Sequence, residues 1–227
     1  MNQKLHTHRE FEAELGQVRD NLLRMSGQVE QMIASSVRAV LEGDIDLART
    51  TIEDDHKVNR LELDTDELCM VILARRQPLG SDLRFITTAT KMLTDLERIG
   101  DLGVNIAERA LAMAGERPAA FATTLARMSE LDQTQLREAV DSFVARDPDR
   151  AQKVYDRDDE VDKYYGEVVR EVQRTIQGDM EFLERGVHVL AVAKFLERIG
   201  DHVTNLAELV IFLVRGKDIR HIGKLEG

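Results

Sequence analysis

Two copies of one short motif place carboxylates at helical spacing in this sequence. The first copy reads Leu-Glu-Arg-Ile-Gly-Asp from Leu96 to Asp101, and the second reads the same from Leu196 to Asp201. In each copy the glutamate and the aspartate are four residues apart, so a helix places them on one side, one turn apart. Like charges at this spacing repel by roughly 0.2–0.5 kcal/mol. The motif therefore predicts two sites that need positive counter-charge.

A second pair of polar residues accompanies each copy. Asp55 and Asn59 occur before the first copy, and Asp158 and Asp162 occur at the matching positions before the second. If the helices that carry these pairs pack against the motif helices, each half contains one cluster of candidate metal ligands. The first cluster is Asp55, Asn59, Glu97 and Asp101; the second cluster is Asp158, Asp162, Glu197 and Asp201. Because the first cluster has one carboxylate fewer, we expect a metal to favour the second.

The ligand atoms restrict the metal that these clusters could hold. Oxygen ligands suit iron, manganese, magnesium or calcium better than zinc or copper, which prefer His and Cys. The cofactor expectation is thus iron, manganese or magnesium, with zinc as a weaker candidate. Arg98 and Arg198 point away from the neighbouring glutamates by about 100° and relieve the repulsion only in part. His202 has no paired ligand spacing, so an exposed or capping role is expected.

The elements that must position these residues are helices. Apolar residues recur every three or four positions through six long segments, with breaks at Gly43–Asp44, Gln77–Gly80, Glu116–Pro118, Arg146–Pro148 and Gly178–Asp179. Asp44 and Asp147 are expected N-caps, and Ser81 or Asp82 is expected to cap helix three. We predict an all-α fold of two tandem antiparallel three-helix bundles related by internal duplication, residues 1–116 and 117–227.

On each motif helix the acidic stripe borders the apolar face. Glu97, Asp101, Asn105 and Glu108 fall within an arc of about 80°, next to the arc that carries Leu96 and Ile99. The carboxylates are therefore expected at a seam between helices. Gly100 and Gly200 are unfavourable inside a helix by about 1 kcal/mol relative to alanine, and so they predict close approach of another backbone.

The composition excludes several classes of function. A formal net charge of -11 argues against nucleic acid as a partner, because that binding depends on Lys and Arg neutralising phosphates. Cys69 is the single cysteine, which excludes an internal disulfide and fits a reducing compartment. The N-terminus lacks the apolar region of a secretory signal, and no apolar stretch reaches the roughly 20 residues of a membrane span. We expect a cytoplasmic protein that reaches a membrane only through partners.

Catalytic motifs are not found in the sequence. It has no Gly-rich phosphate loop, no Ser or Cys nucleophile motif and no Glu-x-x-His pair of the di-iron bundle enzymes. We therefore predict that the chain is not an enzyme. Two alternatives remain open from the residues alone: a carboxylate-bridged metal-dependent enzyme, and a dimerisation bundle in which the acidic stripes pair with arginines.

Three further segments accompany the doubled motif: Arg75–Pro78 with Ser81–Arg84, then Tyr155–Asp162, and finally Gly216–His221. Together with the motif they resemble the PhoU family of phosphate-specific transport accessory proteins, over nearly the whole chain. The resemblance implies two three-helix bundles in pseudo-twofold relation, a homodimer, and a cytoplasmic regulator without catalysis of its own.

The resemblance also implies partners and metals. Members of the family are negative regulators of the phosphate regulon, acting between the phosphate transporter, chiefly its ATPase subunit, and a sensor histidine kinase. Some members bind metal clusters through E/D-x-x-x-D motifs, which correspond here to Glu97–Asp101, Asp158–Asp162 and Glu197–Asp201. The pair Asp55 and Asn59 departs from that pattern.

Overall fold

The computed structural model describes residues 2–216, with side chains from residue 9 onward. All regular structure in this range is helical: α1 (Asn2–Glu42), α2 (Ile45–Arg76), α3 (Ser81–Ala112), α4 (Ala122–Ala145), α5 (Pro148–Tyr155), α6 (Asp159–Gly178) and α7 (Leu183–Arg215). Two 3₁₀ helices, Ala119–Phe121 and Met180–Phe182, precede α4 and α7. The structure confirms the predicted fold of two three-helix bundles. Residues 217–221, quoted for the family resemblance, lie outside the described range.

The two predicted aspartate caps form as expected. The Oδ1 atom of Asp44 accepts a hydrogen bond of 2.9 Å from the backbone N–H of Leu47 at the start of α2. Asp147 accepts bonds from the backbone N–H groups of Asp149 and Arg150, and Pro148 takes the first position of α5. Each aspartate satisfies backbone donors that the first turn of a helix leaves unpaired.

Helix α3 begins differently from the prediction. Its N-cap is Gly80, at a φ of 58°, and no side chain caps the helix. The Ser81 hydroxyl donates to Asp82 instead, over 3.4 Å. The expected cap at Ser81 or Asp82 is therefore wrong: Gly80 adopts a left-handed backbone that these residues could not easily adopt, and Ser81 is already helical.

The fifth predicted helix is divided into α5 and α6 by a turn at residues 156–158. The backbone N–H groups of Arg157 and Asp158 bond to carbonyls three residues back, at 3.1 and 3.3 Å, which tightens the chain as in a 3₁₀ helix. The Arg157 guanidinium donates to Glu138 of α4 over 2.8 Å and so ties the turn to its neighbour. Asp158 consequently lies in the turn that leads into α6.

The two bundles pack side by side through α1 against α4 and through α3 against α7. Helices α3 and α7 are antiparallel, because Arg84 near the start of α3 donates to the backbone oxygen of Leu213 near the end of α7. The rings of Phe85 in α3 and Phe143 in α4 stack with centroids 5.5 Å apart. The buried apolar residues of both halves thus form one continuous core beneath the motif helices.

Candidate functional site

The first cluster forms where α2 packs against α3. The amide of Asn59 donates to Asp55 Oδ2 over 2.6 Å, which leaves Asp55 Oδ1 and Asn59 Oδ1 buried without a hydrogen-bond partner. On α3, the side chains of Glu97 and Asp101 are 28% and 41% exposed. The structure therefore brings all four predicted residues of this half to one seam, open to solvent on one side.

Burial and mutual repulsion determine the electrostatics of the first cluster. Burial raises the pKa of Asp55 above its ordinary value, and the negative charge of Asp101 raises it further. Burial likewise raises the pKa of Glu97, again assisted by Asp101. The charge of Asp101 thus makes both Asp55 and Glu97 harder to ionise, so the cluster favours a nearby cation.

Arg98 supplies part of that positive charge. Its Nε atom lies 3.5 Å from Glu97 Oε2, and its Nη1 atom lies 3.4 Å from Asp101 Oδ2. The sequence suggested that this side chain points elsewhere, but its length lets the guanidinium fold back along the helix. It is 59% exposed, so water screens both contacts and they contribute little. Pairing with arginine, as in the alternative of a dimerisation bundle, thus occurs at this cluster.

Glu62 belongs to the first cluster, although it was not among the predicted ligands. Its charge contributes to the raised pKa of Glu97 on the facing helix. Its own pKa is raised by burial and by Asp66 one turn further along α2. The signal for this residue was present in the sequence, because Glu62 follows Asp55 by seven residues and so lies on the same face of the helix.

The second cluster forms at the matching seam between α6 and α7. Asp158 Oδ1 accepts a hydrogen bond of 2.7 Å from the hydroxyl of Thr204 on α7. Burial raises the pKa of Asp162, with further contributions from Glu197 and Asp158. Burial also raises the pKa of Asp201, and the negative charges of Glu197 and Asp158 raise it further. These four predicted residues therefore act on one another electrostatically, as the sequence suggested.

Lys194 contacts the second cluster directly. Its ammonium forms an ion pair with Glu197, whose side chain is only 14% exposed. The charge of Lys194 also lowers the pKa values of Asp162 and Asp201, against the effect of burial. Lys194 was not among the predicted site residues, although its place three residues before Glu197 predicts contact on a helix.

The motif glycines approach side chains and not another backbone. A Cβ atom at Gly100 would lie 3.5 Å from Val58 Cγ1 and 3.7 Å from Asp55 Oδ1. At Gly200 the corresponding neighbours are Val161, at 3.5 Å, and Asp132 Oδ1, at 3.6 Å. The expected close approach of a backbone is therefore wrong. These are ordinary van der Waals distances, so α2 and α6 approach the motif helices through their side chains.

Asp132 on α4 was missed by the sequence reasoning. It is fully buried, and neither carboxyl oxygen has a hydrogen-bond partner. Burial raises its pKa well above the ordinary value. Val29 on α1 occupies the matching place beside Gly100, so the second half contains a carboxyl group where the first contains an apolar side chain.

His202 lies at the contact between the halves. Its Nδ1 atom is 2.9 Å from Asp95 Oδ1, and its side chain is 21% exposed. The amide of Asn205 reaches the same oxygen over 3.4 Å. The expected exposed or capping role is replaced by a contact between α3 and α7, which the spacing of residues within one helix could not indicate.

The metal assignment of the eight predicted residues stays a prediction. Among residues 9–216, no three His, Cys, Asp or Glu side chains converge closely enough to hold a metal ion in their present rotamers. The chemistry of the first cluster nevertheless fits a hard cation, since it offers two buried oxygens without partners. The second cluster offers one such oxygen, Glu197 Oε2, and the Lys194 ammonium lies against it. Within the described range, the helices also lack an apolar stretch long enough to cross a bilayer.

Comparison with known sequences identifies both halves. The family profile described as "PhoU domain" matches residues 22–110 and again residues 125–210. A phosphate-specific transport system accessory protein PhoU homolog of Pseudomonas aeruginosa is 41% identical over 220 residues, covering 96% of this chain and 90% of the relative. The phosphate-specific transport system accessory protein PhoU of Escherichia coli K12 is 34% identical over 223 residues, covering 98% and 92%.

A solved structure gives the same result for the fold. The crystal structure of PhoU from Pseudomonas aeruginosa superposes with a TM-score of 0.86 at 40% identity, covering 91% of this chain and 100% of that one. The relatives are named as accessory proteins, which confirms the expectation that the chain is not an enzyme and removes the alternative of a metal-dependent enzyme. The duplicated profile, the near-complete coverage and the matching fold together show that this chain belongs to the PhoU family.

Proposed function

We propose that this chain is a cytoplasmic negative regulator of phosphate uptake and of the phosphate regulon. In this role it acts as an adaptor between the phosphate ABC transporter, chiefly its ATPase subunit, and a sensor histidine kinase, and it represses kinase output when phosphate is plentiful. The observation that carries the proposal is the 41% identity with a phosphate-specific transport accessory protein over 96% of the chain.

The surface offers features that suit an adaptor. Leu63 and Met70 are seven residues apart on α2 and are 62% and 61% exposed, and Leu79 beyond the end of α2 is 82% exposed. We expect a protein partner to pack against this face of α2. With a net charge of -11, the chain suits protein partners better than nucleic acid. A homodimer is part of the proposal.

The first cluster is proposed to bind iron, manganese or magnesium. Asp55, Asn59, Glu97 and Asp101 would hold the ion, with Glu62 as a fifth oxygen ligand, after a change of rotamer brings them together. The ion would add to the partial positive charge that Arg98 supplies, and it would fix α2 against α3. The role assigned to the metal is therefore structural, because the ion would join two helices.

Genetics tests the regulatory role. In a strain that lacks the gene, we expect a phosphate-starvation reporter to be active in high phosphate, and the intact gene to restore repression. A reporter that stays silent without the gene would contradict the proposal.

A pull-down tests the partners. The full-length protein, recovered from phosphate-replete cells, should bring the transporter ATPase and the kinase with it. The variant Leu63→Glu with Met70→Glu leaves the core intact and should reduce that recovery if the exposed face of α2 is used. As a matched control, Val144→Glu places one charge on an exposed apolar position of α4, far along the chain from α2. Failure to recover either partner with the unaltered protein would refute the adaptor role.

A further inference from the structure

The two clusters differ in their internal positive charge. Lys194 precedes the second motif copy at the place where the first copy has Thr94. The Thr94 hydroxyl donates to the backbone oxygen of Thr90 over 3.3 Å and so turns back to its own helix. The first cluster thus has a neutral side chain at the position where the second has an ammonium group.

A second difference accompanies the first. Tyr165 on α6 stands at the place that Glu62 occupies on α2, at the same offset that relates Asp55 to Asp158. The Lys194 Nζ atom lies 5.4 Å from the centroid of the Tyr165 ring, within the range of a cation–π contact. The second half therefore has a tyrosine at the position of Glu62 and a lysine at the position of Thr94. These two residues, Tyr165 and Lys194, contact each other.

The ammonium group is held at the second cluster from two sides. It forms an ion pair with Glu197, and it also lies over the face of the Tyr165 ring. The partner oxygen, Glu197 Oε2, is itself buried and has no hydrogen-bond donor apart from this ion pair. Its charge also reaches Asp162 and Asp201, so one side chain acts on three of the four carboxylates.

We propose that Lys194 is a tethered cation that takes the place of a metal ion in the second cluster, so that a divalent cation is directed to the first cluster. The second cluster as it stands therefore does not fit a metal ion, because the Lys194 ammonium already lies against Glu197, whose side chain is only 14% exposed. This reverses the preference expected from counting carboxylates. The inference concerns the charges within this chain and does not depend on the regulatory role.

The test uses Mn²⁺ and the untagged full-length protein after treatment with EDTA. Lys194→Thr gives the second cluster the residue that the first cluster has at the matching position, Thr94. Lys194→Arg keeps the positive charge. In EDTA we expect Lys194→Thr to melt at a lower temperature than the wild type, because its carboxylates lose their counter-charge. Mn²⁺ should restore that loss, with an affinity at the second cluster at least about tenfold higher than in the wild type. Lys194→Arg should behave like the wild type.

Two further variants show which cluster binds the ion. Combining Lys194→Thr with Glu197→Gln should remove the new Mn²⁺ response in calorimetric titration. Thr94→Lys should weaken any Mn²⁺ binding at the first cluster. The proposal is overturned if Mn²⁺ stabilises Lys194→Thr no more than the wild type, or if Glu197→Gln alone removes Mn²⁺ binding from the wild-type protein. A lysine with a merely structural role would lower the melting temperature on substitution without any response to Mn²⁺.

Discussion

The Nδ1 atom of His202 lies 2.9 Å from the Oδ1 atom of Asp95, and this contact joins the two motif helices across the boundary between the halves. Both side chains are largely shielded, at 21% and 18% exposure. The matching positions in the other copies are Leu102 and Phe195, so the duplication does not repeat the contact. This polar link therefore arose in one place only, at the packing of α3 on α7.

A double-mutant cycle measures the strength of this link. Asp95→Asn and His202→Gln should each lower the free energy of unfolding by about 1 kcal/mol, because each removes one side of a shielded hydrogen bond. The coupling energy between the two should be about 0.5–1 kcal/mol in urea denaturation. The ion pair of Asp46 and Arg49, whose side chains are 94% and 67% exposed, provides the control. Its coupling energy should be close to zero. Strictly additive effects of Asp95→Asn and His202→Gln would contradict the link.

Asp132→Val should stabilise the protein. The carboxyl group is buried without any hydrogen-bond partner, and such a group costs about 1–3 kcal/mol. Valine has a similar volume and occupies the matching position, Val29, in the first half. We expect the free energy of unfolding to rise by about 1–3 kcal/mol in urea denaturation at pH 7. Asp132→Asn, which keeps a polar group in the same place but cannot ionise, should recover only the part of this gain that arises from the raised pKa of Asp132. A less stable valine variant would mean that Asp132 has a partner that these contacts do not reveal.

The same residue predicts a dependence on pH. Burial raises the pKa of Asp132 in the folded state, so above the ordinary aspartate pKa of about 4 the native protein holds a proton that the unfolded chain releases. This group therefore lowers the free energy of unfolding as pH rises, from about 4 up to its raised pKa. The advantage of Asp132→Val over the wild type should grow across that window and then level off. Equal advantages at pH 4 and pH 7 would show that Asp132 ionises normally.

Gly100→Ala should be tolerated, unlike Gly43→Ala. An added Cβ at Gly100 meets its neighbours at 3.5 Å or more, and alanine favours a helix by about 1 kcal/mol. The melting temperature should therefore stay the same or increase. At Gly43, where φ is +68°, a Cβ would overlap the backbone oxygen of Gly115, and the loss should be about 1–3 kcal/mol. A strongly destabilised Gly100→Ala would show that the motif helices pack more tightly than these distances indicate.

Asn59→Asp should lower the stability of the metal-free protein and increase its stabilisation by Mn²⁺. The substitution removes the hydrogen bond to Asp55 and adds a charge beside Asp55 and Asp101, so the melting temperature in EDTA should fall. Stabilisation by Mn²⁺ should increase, because the first cluster then offers one more anionic oxygen ligand. The matched change Asp162→Asn should raise the melting temperature in EDTA and leave the Mn²⁺ response unchanged. Loss of Mn²⁺ binding in Asp162→Asn would instead place the ion at the second cluster.

The sequence by itself determined the helices, the duplication and the acidic seams. These depend on local chemistry: apolar spacing defines each buried face, Asp44 and Asp147 cap the helices they precede, and a separation of four residues puts Glu97 beside Asp101. The same rules could have found Glu62, seven residues after Asp55. The division of the fifth helix into α5 and α6 was harder to predict from the sequence. Arg157 holds that turn by contacting Glu138, which lies on another helix, α4.

Only the tertiary structure decided how each carboxylate is neutralised. Lys194 meets Tyr165 and His202 meets Asp95 because of the positions at which separate helices cross, and no periodicity within one helix specifies those crossings. The burial of Asp132 has the same origin, since its neighbour Gly200 lies on α7. Two copies of one motif thus have different charge environments, because a duplication repeats the residues within each helix and later substitutions on facing helices alter what each copy contacts.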